Sequence, residues 1–307
     1  MANSPGVGHE FPPFEVSWLK RDLLIFANSI GCTSDELHYL YERHPDFQPF
    51  PTYPMMLLLK RTDVEVIDFT IRNSLPPIPG VPQFSIHRLD GSRSITLLKP
   101  LPPTSEGQQF VINSRVSGVW DKQSAGSLVE VEYELLNVDT GTLHAKAKGS
   151  IFYMGQGGWG GPKGTSIQYP PPQGRKPDLI SRYQTTPETP LLFRLNGDYN
   201  PLHAYPPRGK EMGFGGVVIH GLFTWNVAAH ALLKELGGND PANLRHFEAR
   251  FASPVRPGDL LVTQAWQIGV GEDGIEEIRF ITTIHGGKVC LSNGRALMRV
   301  VGKESRL

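Results

Sequence analysis

The sequence predicts an α+β fold made of two similar halves. Three observations carry this prediction. Amphipathic helical segments open each half, long strand-like runs close each half, and a stretch dense in glycine and proline separates the two. The chain has 307 residues, which is enough for two domains of ordinary size. We therefore expect an N-terminal domain over 1–154, a linker over 155–180 and a C-terminal domain over 181–307.

The first half opens with two helical signals. A helix is predicted over 17–31, with Ser17 as its N-cap and an apolar stripe facing inward. Thr33 and Glu36 have the spacing of a capping box and predict a second, short helix. The buried face of that helix is expected to consist of Leu37, Leu40 and Tyr41. The apolar segment 55–59 is also expected to be buried.

Strand signals follow in the first half, and the second half repeats the same order. The predicted strands of the first half are 94–98, 109–120, 127–138 and 142–154, with a hairpin turn at 139–141. In the second half we predict a short helix over 189–195 and a long helix over 222–236. The strands that follow these helices are predicted at 244–252, 260–270, 276–285 and 288–301.

The glycine-rich stretch contains a formal nucleotide-binding pattern. Gly155, Gly157 and Gly160 form a G-x-G-x-x-G sequence after a predicted strand. A phosphate-binding loop of this kind requires a helix immediately afterwards, whereas Pro162 and the triple proline at 170–172 follow here. We therefore interpret the stretch as a linker.

Composition excludes several classes of function. Lys plus Arg number 30 and Asp plus Glu number 30, so no basic excess indicates a nucleic-acid partner. No apolar run approaches the length of a membrane span, and the N-terminus lacks the pattern of a signal peptide. The two cysteines, Cys32 and Cys290, match no metal or disulfide framework, which favours a reducing compartment.

The residue types needed for proton transfer occur together in one loop. Asp198, Asn200 and His203 lie within six residues, where Gly197 and Pro201 force the chain to turn. A carboxylate and an imidazole on one constrained loop can hold a water and exchange protons near neutral pH. Gly221 then begins the long predicted helix, whose first backbone N–H groups have no internal partner and can hold a developing negative charge.

The segment from Phe193 to Thr224 resembles a known signature. It is similar to the MaoC-like, R-specific enoyl-CoA hydratases (hydratase 2), which include the hydratase part of the peroxisomal multifunctional enzyme of fatty-acid β-oxidation. The residues that carry the resemblance are Gly197, Asp198, Asn200, Pro201, Leu202, His203, Gly213, Phe214, His220 and Gly221. The resemblance implies a double hot-dog fold, in which each of two tandem antiparallel sheets wraps a helix. The N-terminal copy would be degenerate, without the catalytic loop and the long helix, and would leave room for a bulky acyl chain.

A weak internal repeat agrees with duplication. Ile86-His87 followed by Lys99-Pro100 echoes Ile219-His220 followed by Ser253-Pro254, and each pair precedes long strands. The first copy has too few residues between these landmarks for a long central helix.

The resemblance also implies a reaction and residue roles. The reaction is reversible syn hydration of trans-2-enoyl-CoA to (3R)-3-hydroxyacyl-CoA, placed in β-oxidation. Asp198 and His203 would share one water, with the acid and base roles left open between them. Asn200 would support this pair, the Gly221 N–H would hold the thioester oxygen, and His220 would be structural. Further contacts with the substrate are expected from Gly197, Phe214, Arg208 and Lys210.

Expectations about partners follow from the same resemblance. We expect no metal or redox cofactor, although Asp198, His203 and His220 form a conceivable metal site. A homodimer is expected. Ser305-Arg306-Leu307 has the form of a peroxisomal address, which an import receptor would read. The alternatives are a MaoC-like dehydratase of a specialised biosynthetic pathway, a hot-dog thioesterase and an acyl-CoA binding protein.

Overall fold

Ten strands form one antiparallel sheet in the structure, a computed structural model that describes residues 5–69, 76–85, 88–271 and 273–301. The elements in chain order are β1 (Glu10–Val16), α1 (Lys20–Ser29), α2 (Leu37–Leu40), α3 (Pro54–Lys60), β2 (Arg88–Leu97), β3 (Phe110–Asp121), β4 (Gly126–Asn137), β5 (Thr142–Met154), β6 (Leu179–Gln184), α4 (Thr189–Phe193), α5 (Pro206–Glu211), α6 (Gly221–Leu236), β7 (Leu244–Phe251), β8 (Leu260–Val270), β9 (Glu276–Thr283) and β10 (Val289–Met298). The α+β prediction is confirmed.

The strand order records a duplication. The sheet runs β1-β3-β4-β5-β2-β7-β10-β9-β8-β6. From the centre outward, the first half runs β2-β5-β4-β3-β1 and the second half runs β7-β10-β9-β8-β6. Adding five to each strand number of the first half gives the second half. The halves join through β2 and β7, which pair from Ser92 opposite Arg250 to Thr96 opposite His246. This is the plan of two tandem hot-dog repeats that share one sheet.

Helix α6 is the centre of the second repeat, as predicted. It is 16 residues long, and every residue from Leu222 to Leu233 is buried. Trp225 meets Phe247 of β7 edge-on, with ring centroids 4.7 Å apart. Because this helix is buried on all sides, a prediction based on one apolar face gives too few buried residues. In the described part of the first repeat the longest helix is α1, with 10 residues, which agrees with a degenerate copy.

The start of α1 differs from the prediction. The helix begins at Lys20, and its N-cap is Leu19 rather than Ser17. Asp22 takes the capping role from inside the helix, because its carboxylate accepts a hydrogen bond from the Leu19 N–H at 2.8 Å. The predicted N-cap at Ser17 was therefore wrong.

In the segment after α1 one bond of the predicted capping box forms, whereas the predicted buried face was wrong. Glu36 accepts a hydrogen bond from the Thr33 N–H at 2.8 Å, but α2 begins only at Leu37, with Glu36 itself as the N-cap residue and no capping bond from its side chain. However, Leu37 and Tyr41 are 46% and 44% exposed, whereas Tyr39 is 1% exposed. Helix α2 has a single turn, so one side chain, that of Tyr39, is enough to anchor it.

Glu36 is the centre of a buried polar network that joins the two repeats. Its side chain is fully buried. It lies 2.7 Å from His230 Nε2 and 2.9 Å from Lys234 Nζ, both on α6. Asn239 Nδ2 donates to the same carboxylate at 3.0 Å. Burial alone would raise the pKa of Glu36, but hydrogen bonds and charge from His230, with further bonds from Thr33 and Lys234, outweigh it and lower the pKa well below its usual range.

The other predicted helices and strands are present, although several of their ends differ from the prediction. β1 was not predicted, β2 starts earlier than expected, and β6 begins inside the predicted linker. Residues 155–178 contain no helix. The Gly158 and Gly160 N–H groups donate to the Asp121 carboxylate at 2.8 and 2.9 Å. The glycine-rich stretch is thus a connecting segment, as interpreted from the sequence.

Some sequence features lie outside the described residues. These are Ile86, His87 and the C-terminal tripeptide Ser305-Arg306-Leu307. Within the described residues, both cysteines are free and buried. None of the helices described combines the length and apolar character needed to cross a bilayer.

Candidate active site

The predicted catalytic loop follows a turn that only glycine accommodates well. Helix α4 continues into a 3-10 turn at Arg194–Asn196, which ends at Gly197 with φ of 107°. A Cβ atom at Gly197 would lie 2.6 Å from Lys60 Cα at the end of α3. The positive φ and the close backbone approach together fix where Asp198 begins.

Asn200 holds the chain between the two titratable residues. It caps a second 3-10 turn, Pro201–His203, by accepting a hydrogen bond from the Leu202 N–H at 3.1 Å. The Asn200 N–H points to Asp198 Oδ1 at 3.4 Å. Asn200 therefore positions both Asp198 and His203 through the backbone.

The tautomer of His203 follows from one hydrogen bond. His203 Nδ1 lies 2.7 Å from the carbonyl oxygen of Val218. A carbonyl can only accept, so Nδ1 carries the hydrogen and the neutral ring keeps a lone pair on Nε2. His203 is buried, with 8% of its surface exposed, and it lines the central cavity.

His220 braces the loop from behind. Its ring stacks on His203 with centroids 3.7 Å apart, and its Nε2 donates to the Asp198 carbonyl at 3.1 Å. Burial, and then the charge of His203, lower the pKa of His220 well below its usual range, which keeps the ring neutral. His220 Nδ1 is buried and has no hydrogen-bond partner in the described part of the chain.

Asp198, His203 and His220 come together as the sequence predicted. One carboxylate oxygen and one ring nitrogen of each histidine lie within 4.8 Å of one another. Two groups at hydrogen-bond distance from the same water are separated by up to about 5.6 Å, twice the usual bond length. Asp198 and His203 are therefore close enough to share one water. The same spacing would also fit a metal ion, but Nδ1 of His203 and Nε2 of His220 already donate to carbonyls.

Asp198 is held in a setting that favours its protonated form. Burial raises its pKa, while the nearby His203 and the Asn200 N–H act in the opposite direction. The net shift is upward. Asp90 raises this pKa further and Arg93 lowers it, so both lie within electrostatic reach of Asp198. A raised carboxyl pKa moves proton exchange towards neutral pH.

The start of α6 presents the expected backbone donor. Gly221 is the first residue of the helix and lines the same cavity as Asp198 and His203. Its N–H has no acceptor within the helix, and the helix dipole adds positive potential at this end. A Cβ at Gly221 would lie 3.0 Å from the Phe251 ring, so the absence of a side chain lets that ring pack closely.

These groups open onto one cavity of about 1020 Å³. Its walls come from both repeats. Of the residues proposed from the sequence, those that line it are Asp198, Asn200, His203, Gly221, Arg208 and Phe214. Lys210 is exposed and is not among the lining residues, and Gly197 lies against α3, where it borders a separate small cavity. The volume is at the upper end of the range for ligand sites.

Sequence reasoning missed the polar groups that the first repeat contributes. Asp90, Arg93 and Tyr133 line the cavity from β2 and β4. Arg93 lies opposite Gly149 on one neighbouring strand and Ala249 on the other. Small residues on both flanks are the signal that a long side chain occupies that position. This signal can be recognised only when the strand pairing is known.

The turn at Gly197 gives a testable prediction. We expect Gly197→Ala to lower the free energy of unfolding by about 1–3 kcal/mol, because the new Cβ would combine a disfavoured φ with a clash against α3. Chemical denaturation measures this loss. Gly213→Ala is the control, because Gly213 has φ of 81° but open space around its Cβ position. An equal loss in the two variants would show that the contact with Lys60 does not matter.

Comparisons with known families agree with the two-repeat structure. Residues 16–155 match the MFE-2 hydratase 2 N-terminal domain, and residues 169–289 match the MaoC like domain. The boundary between the two matches falls in the glycine-rich connecting segment.

Relatives with similar sequences extend over nearly the whole chain. A probable dehydratase, NIT22, from Ajellomyces capsulatus is 44% identical over 94% of this chain and 81% of its own length. A probable enoyl-CoA hydratase 2 from Dictyostelium discoideum is 30% identical, with 97% of each chain covered. Among solved structures, a MaoC-like dehydratase from Phytophthora capsici superposes with a TM-score of 0.83, at 30% identity and with 98% of each chain covered.

Proposed function

The chain belongs to the family of MaoC-like dehydratases and enoyl-CoA hydratases 2, and on that premise we propose that it catalyses reversible hydration of trans-2-enoyl-CoA to (3R)-3-hydroxyacyl-CoA. Membership makes the protein a hydro-lyase. One observation carries the specific reaction: Asp198, His203 and the Gly221 N–H face one cavity, with the first two close enough to share a water.

The mechanism begins with activation of the thioester. The carbonyl oxygen of the substrate gains negative charge when water attacks C3. The Gly221 N–H and the positive end of the α6 dipole stabilise that charge. Buried dipoles of this kind are already oriented before the reaction, so they cost little reorganisation.

We propose His203 as the base and Asp198 as the acid in the two proton transfers. His203 Nε2 has the free lone pair, so it accepts a proton from the attacking water. Asp198 has a raised pKa, so it supplies the proton that C2 receives. Water thus loses one proton to His203 as its oxygen bonds to C3. The next bound water passes that proton from His203 to Asp198 and restores both groups.

We also propose that no metal or redox cofactor takes part. Addition of water to a conjugated thioester changes no oxidation state overall, and the groups named above supply base, acid and electrophile. Dialysis against a chelator that leaves turnover unchanged would agree with this. Loss of turnover that Zn²⁺ or Mg²⁺ restores would contradict it.

A dehydratase acting in a biosynthetic pathway is the second proposal, because the relative at 44% identity is a probable dehydratase. Dehydration is the reverse of the same chemical step and needs the same three groups. The choice therefore depends on the substrate and on the flux in the cell. Assays in both directions with the same acyl chain, compared with metabolite changes on gene deletion, separate the two. A thioesterase would instead release CoA thiol, which a thiol reagent detects.

The proposed acid role of Asp198 predicts a pH dependence with a definite sign. Turnover should fall as pH rises through the raised pKa of Asp198, since only its protonated form can give a proton to C2. Arg93→Met removes a cation and should move this alkaline limb of kcat/KM to higher pH. Asp90→Asn removes an anion and should move it to lower pH. If both variants keep the alkaline limb of kcat/KM at the wild-type pH, a group other than Asp198 causes that limb.

We further propose that the protein acts in peroxisomes and takes part in β-oxidation. Relatives with peroxisomal in their names include a multifunctional enzyme of mouse and an enoyl-CoA hydratase 2 of Arabidopsis thaliana. The Ser305-Arg306-Leu307 tripeptide has the form that an import receptor reads. A fluorescent protein fused to the N-terminus should colocalise with peroxisomes, and deletion of the tripeptide should disperse it. Unchanged localisation after deletion would contradict import through this tripeptide.

A further inference from the structure

Three side chains with different metal-binding groups meet where the two repeats join. The Cys32 sulfur, one Glu36 carboxylate oxygen and one His230 ring nitrogen all lie within 4.8 Å of one another. Cys32 and Glu36 come from the segment between α1 and the start of α2, and His230 comes from α6. None of the three is among the residues that line the catalytic cavity. The cluster is therefore separate from the site described above.

The spacing of this cluster suits tetrahedral Zn²⁺ after small movements. Zinc lies about 2.3 Å from a thiolate sulfur and about 2.0–2.2 Å from an imidazole nitrogen or a carboxylate oxygen, so its ligand atoms are about 3.3–3.7 Å apart. His230 Nε2 lies 2.7 Å from Glu36 Oε1, and no two of the three ligand atoms are more than 4.8 Å apart. Side-chain shifts of about 1 Å would bring all three to the zinc distances. A fourth position remains for water.

The ligand set differs from the group of residues on the catalytic loop. There, His203 and His220 already donate to backbone carbonyls. His230 Nε2 instead faces the carboxylate of Glu36, which is itself a metal-binding group. Cys32 adds a thiol, and a set of thiolate, imidazole and carboxylate selects Zn²⁺ over Mg²⁺ and Ca²⁺.

Neighbouring donors already orient the Glu36 carboxylate. Oε2 accepts from the Thr33 N–H at 2.8 Å and from Lys234 Nζ at 2.9 Å. Oε1 accepts from Asn239 Nδ2 at 3.0 Å and also faces His230. A carboxylate oxygen has two lone pairs, so Oε1 can keep the bond from Asn239 and bind a metal with the other. Outer hydrogen bonds of this kind hold the carboxylates of metal sites in place.

The charges of the cluster accommodate a dication in spite of the nearby ammonium group. Lys234 Nζ lies 3.0 Å from the Asp35 carboxylate and 2.9 Å from that of Glu36, so these three groups carry one net negative charge. Burial, and then the charge of Glu36, raise the pKa of the Cys32 thiol, which therefore keeps its proton until a metal displaces it. Exchange of that proton for Zn²⁺ would leave the cluster neutral.

An ion can reach the cluster from the protein surface. The side chains of Asp35 and Lys234 form its outer rim and are 67% and 27% exposed. Cys32, Glu36 and His230 lie beneath them and are all buried. The ion would enter past Lys234 and would then be shielded from solvent.

We propose that Cys32, Glu36 and His230 bind one Zn²⁺ ion, with water as the fourth ligand, and that this ion links the first repeat to α6. Binding replaces the Cys32 S–H and the His230 Nε2–H by bonds to the metal. The thiol proton goes to solvent, and the His230 ring keeps its hydrogen on Nδ1. The ion takes no part in hydration, because its ligands lie outside the catalytic cavity.

A cobalt titration tests the site without measuring turnover. Full-length protein, reduced and freed of metal by a chelator, should bind one equivalent of Co²⁺ and show a sulfur-to-cobalt charge-transfer band. Zn²⁺ should then displace the Co²⁺. Cys32→Ser should abolish the band. Cys290→Ser is the matched control, because Cys290 is the other free and buried cysteine and lies outside the cluster, so this variant should keep the band.

His230→Gln removes a ligand and preserves the hydrogen-bond network, because the glutamine amide can still donate to Glu36. We expect it to weaken Zn²⁺ binding by at least about a hundred-fold, the upper end of what loss of an outer partner costs. Competition with a chromophoric chelator measures this affinity. Zn²⁺ should also raise the Tm of the wild type and leave that of Cys32→Ser unchanged.

The contrary outcomes are distinct. Absence of the charge-transfer band, or a band that Cys32→Ser retains, would overturn the proposed site. Stabilisation by Zn²⁺ of equal size in the wild type, Cys32→Ser and His230→Gln would show an adventitious ion only. The proposed hydratase function stands or falls separately, because it is read from turnover and this site from metal binding.

Discussion

Asp198→Asn is expected to lower kcat/KM for trans-2-enoyl-CoA hydration by about three to four orders of magnitude. Asn keeps the size and polarity of the side chain but has no proton to give to C2. The hydrogen bond from the Asn200 N–H can still form to an amide oxygen, so the loop should keep its shape. Stopped-flow or steady-state loss of the enoyl thioester absorbance measures the change.

Binding distinguishes a catalytic loss from a folding defect. The acyl-CoA affinity of Asp198→Asn should stay close to that of the wild type, because the cavity walls and the Gly221 N–H are unchanged. Asp46→Asn is the control, since Asp46 is exposed and is not among the residues that line the cavity, and it should behave like the wild type. Turnover near the wild-type rate in Asp198→Asn would show that another group transfers the proton.

Glu36→Ala is expected to lower the free energy of unfolding by about 3–5 kcal/mol. The substitution leaves His230 and Lys234 without the carboxylate that they share inside the protein. It also removes the acceptor of the Thr33 N–H and one link between the first repeat and α6. Urea denaturation monitored by tryptophan fluorescence measures the loss.

The control for this variant is Glu42→Ala. Glu42 pairs with Arg43 at 3.9 Å, and its side chain is 42% exposed, so its removal should cost at most about 1 kcal/mol. A loss in Glu36→Ala as small as in this control would mean that the buried network contributes no stability beyond an ordinary surface pair.

The same network predicts how stability depends on pH. The folded-state pKa of Glu36 is lowered, so its contribution is present above the unfolded-state pKa of about 4.5 and is lost as pH falls below it. The stability difference between wild type and Glu36→Ala should therefore shrink in acid. A difference that stays constant from pH 6 to pH 3 would contradict the lowered pKa.

The sequence was most informative where local chemistry and local structure coincide. Asp198, Asn200 and His203 lie within six residues, and Gly197 and Pro201 determine the turns around them, so the loop could be predicted without knowledge of the fold. Helix α6 and the long hairpins of β3, β4 and β5 have strong periodicity and were predicted within one or two residues of their ends.

The sequence was least informative where distant strands decide the outcome. β1 and β6 are the two edges of the sheet, and the two prolines of β1 interrupt its alternating pattern. The burial of Glu36 depends on two residues of α6 that lie about 200 positions away. Arg93 belongs to the cavity only because Gly149 and Ala249 flank it across two strand pairings.

A progress curve with trans-2-decenoyl-CoA, followed by chiral analysis of the product, tests the proposed reaction. The proposed arrangement of Asp198, His203 and the Gly221 N–H predicts loss of the enoyl absorbance, no release of free CoA thiol and a product that is the (3R)-hydroxy thioester. Formation of the (3S) product, or thiol release in place of hydration, would contradict it.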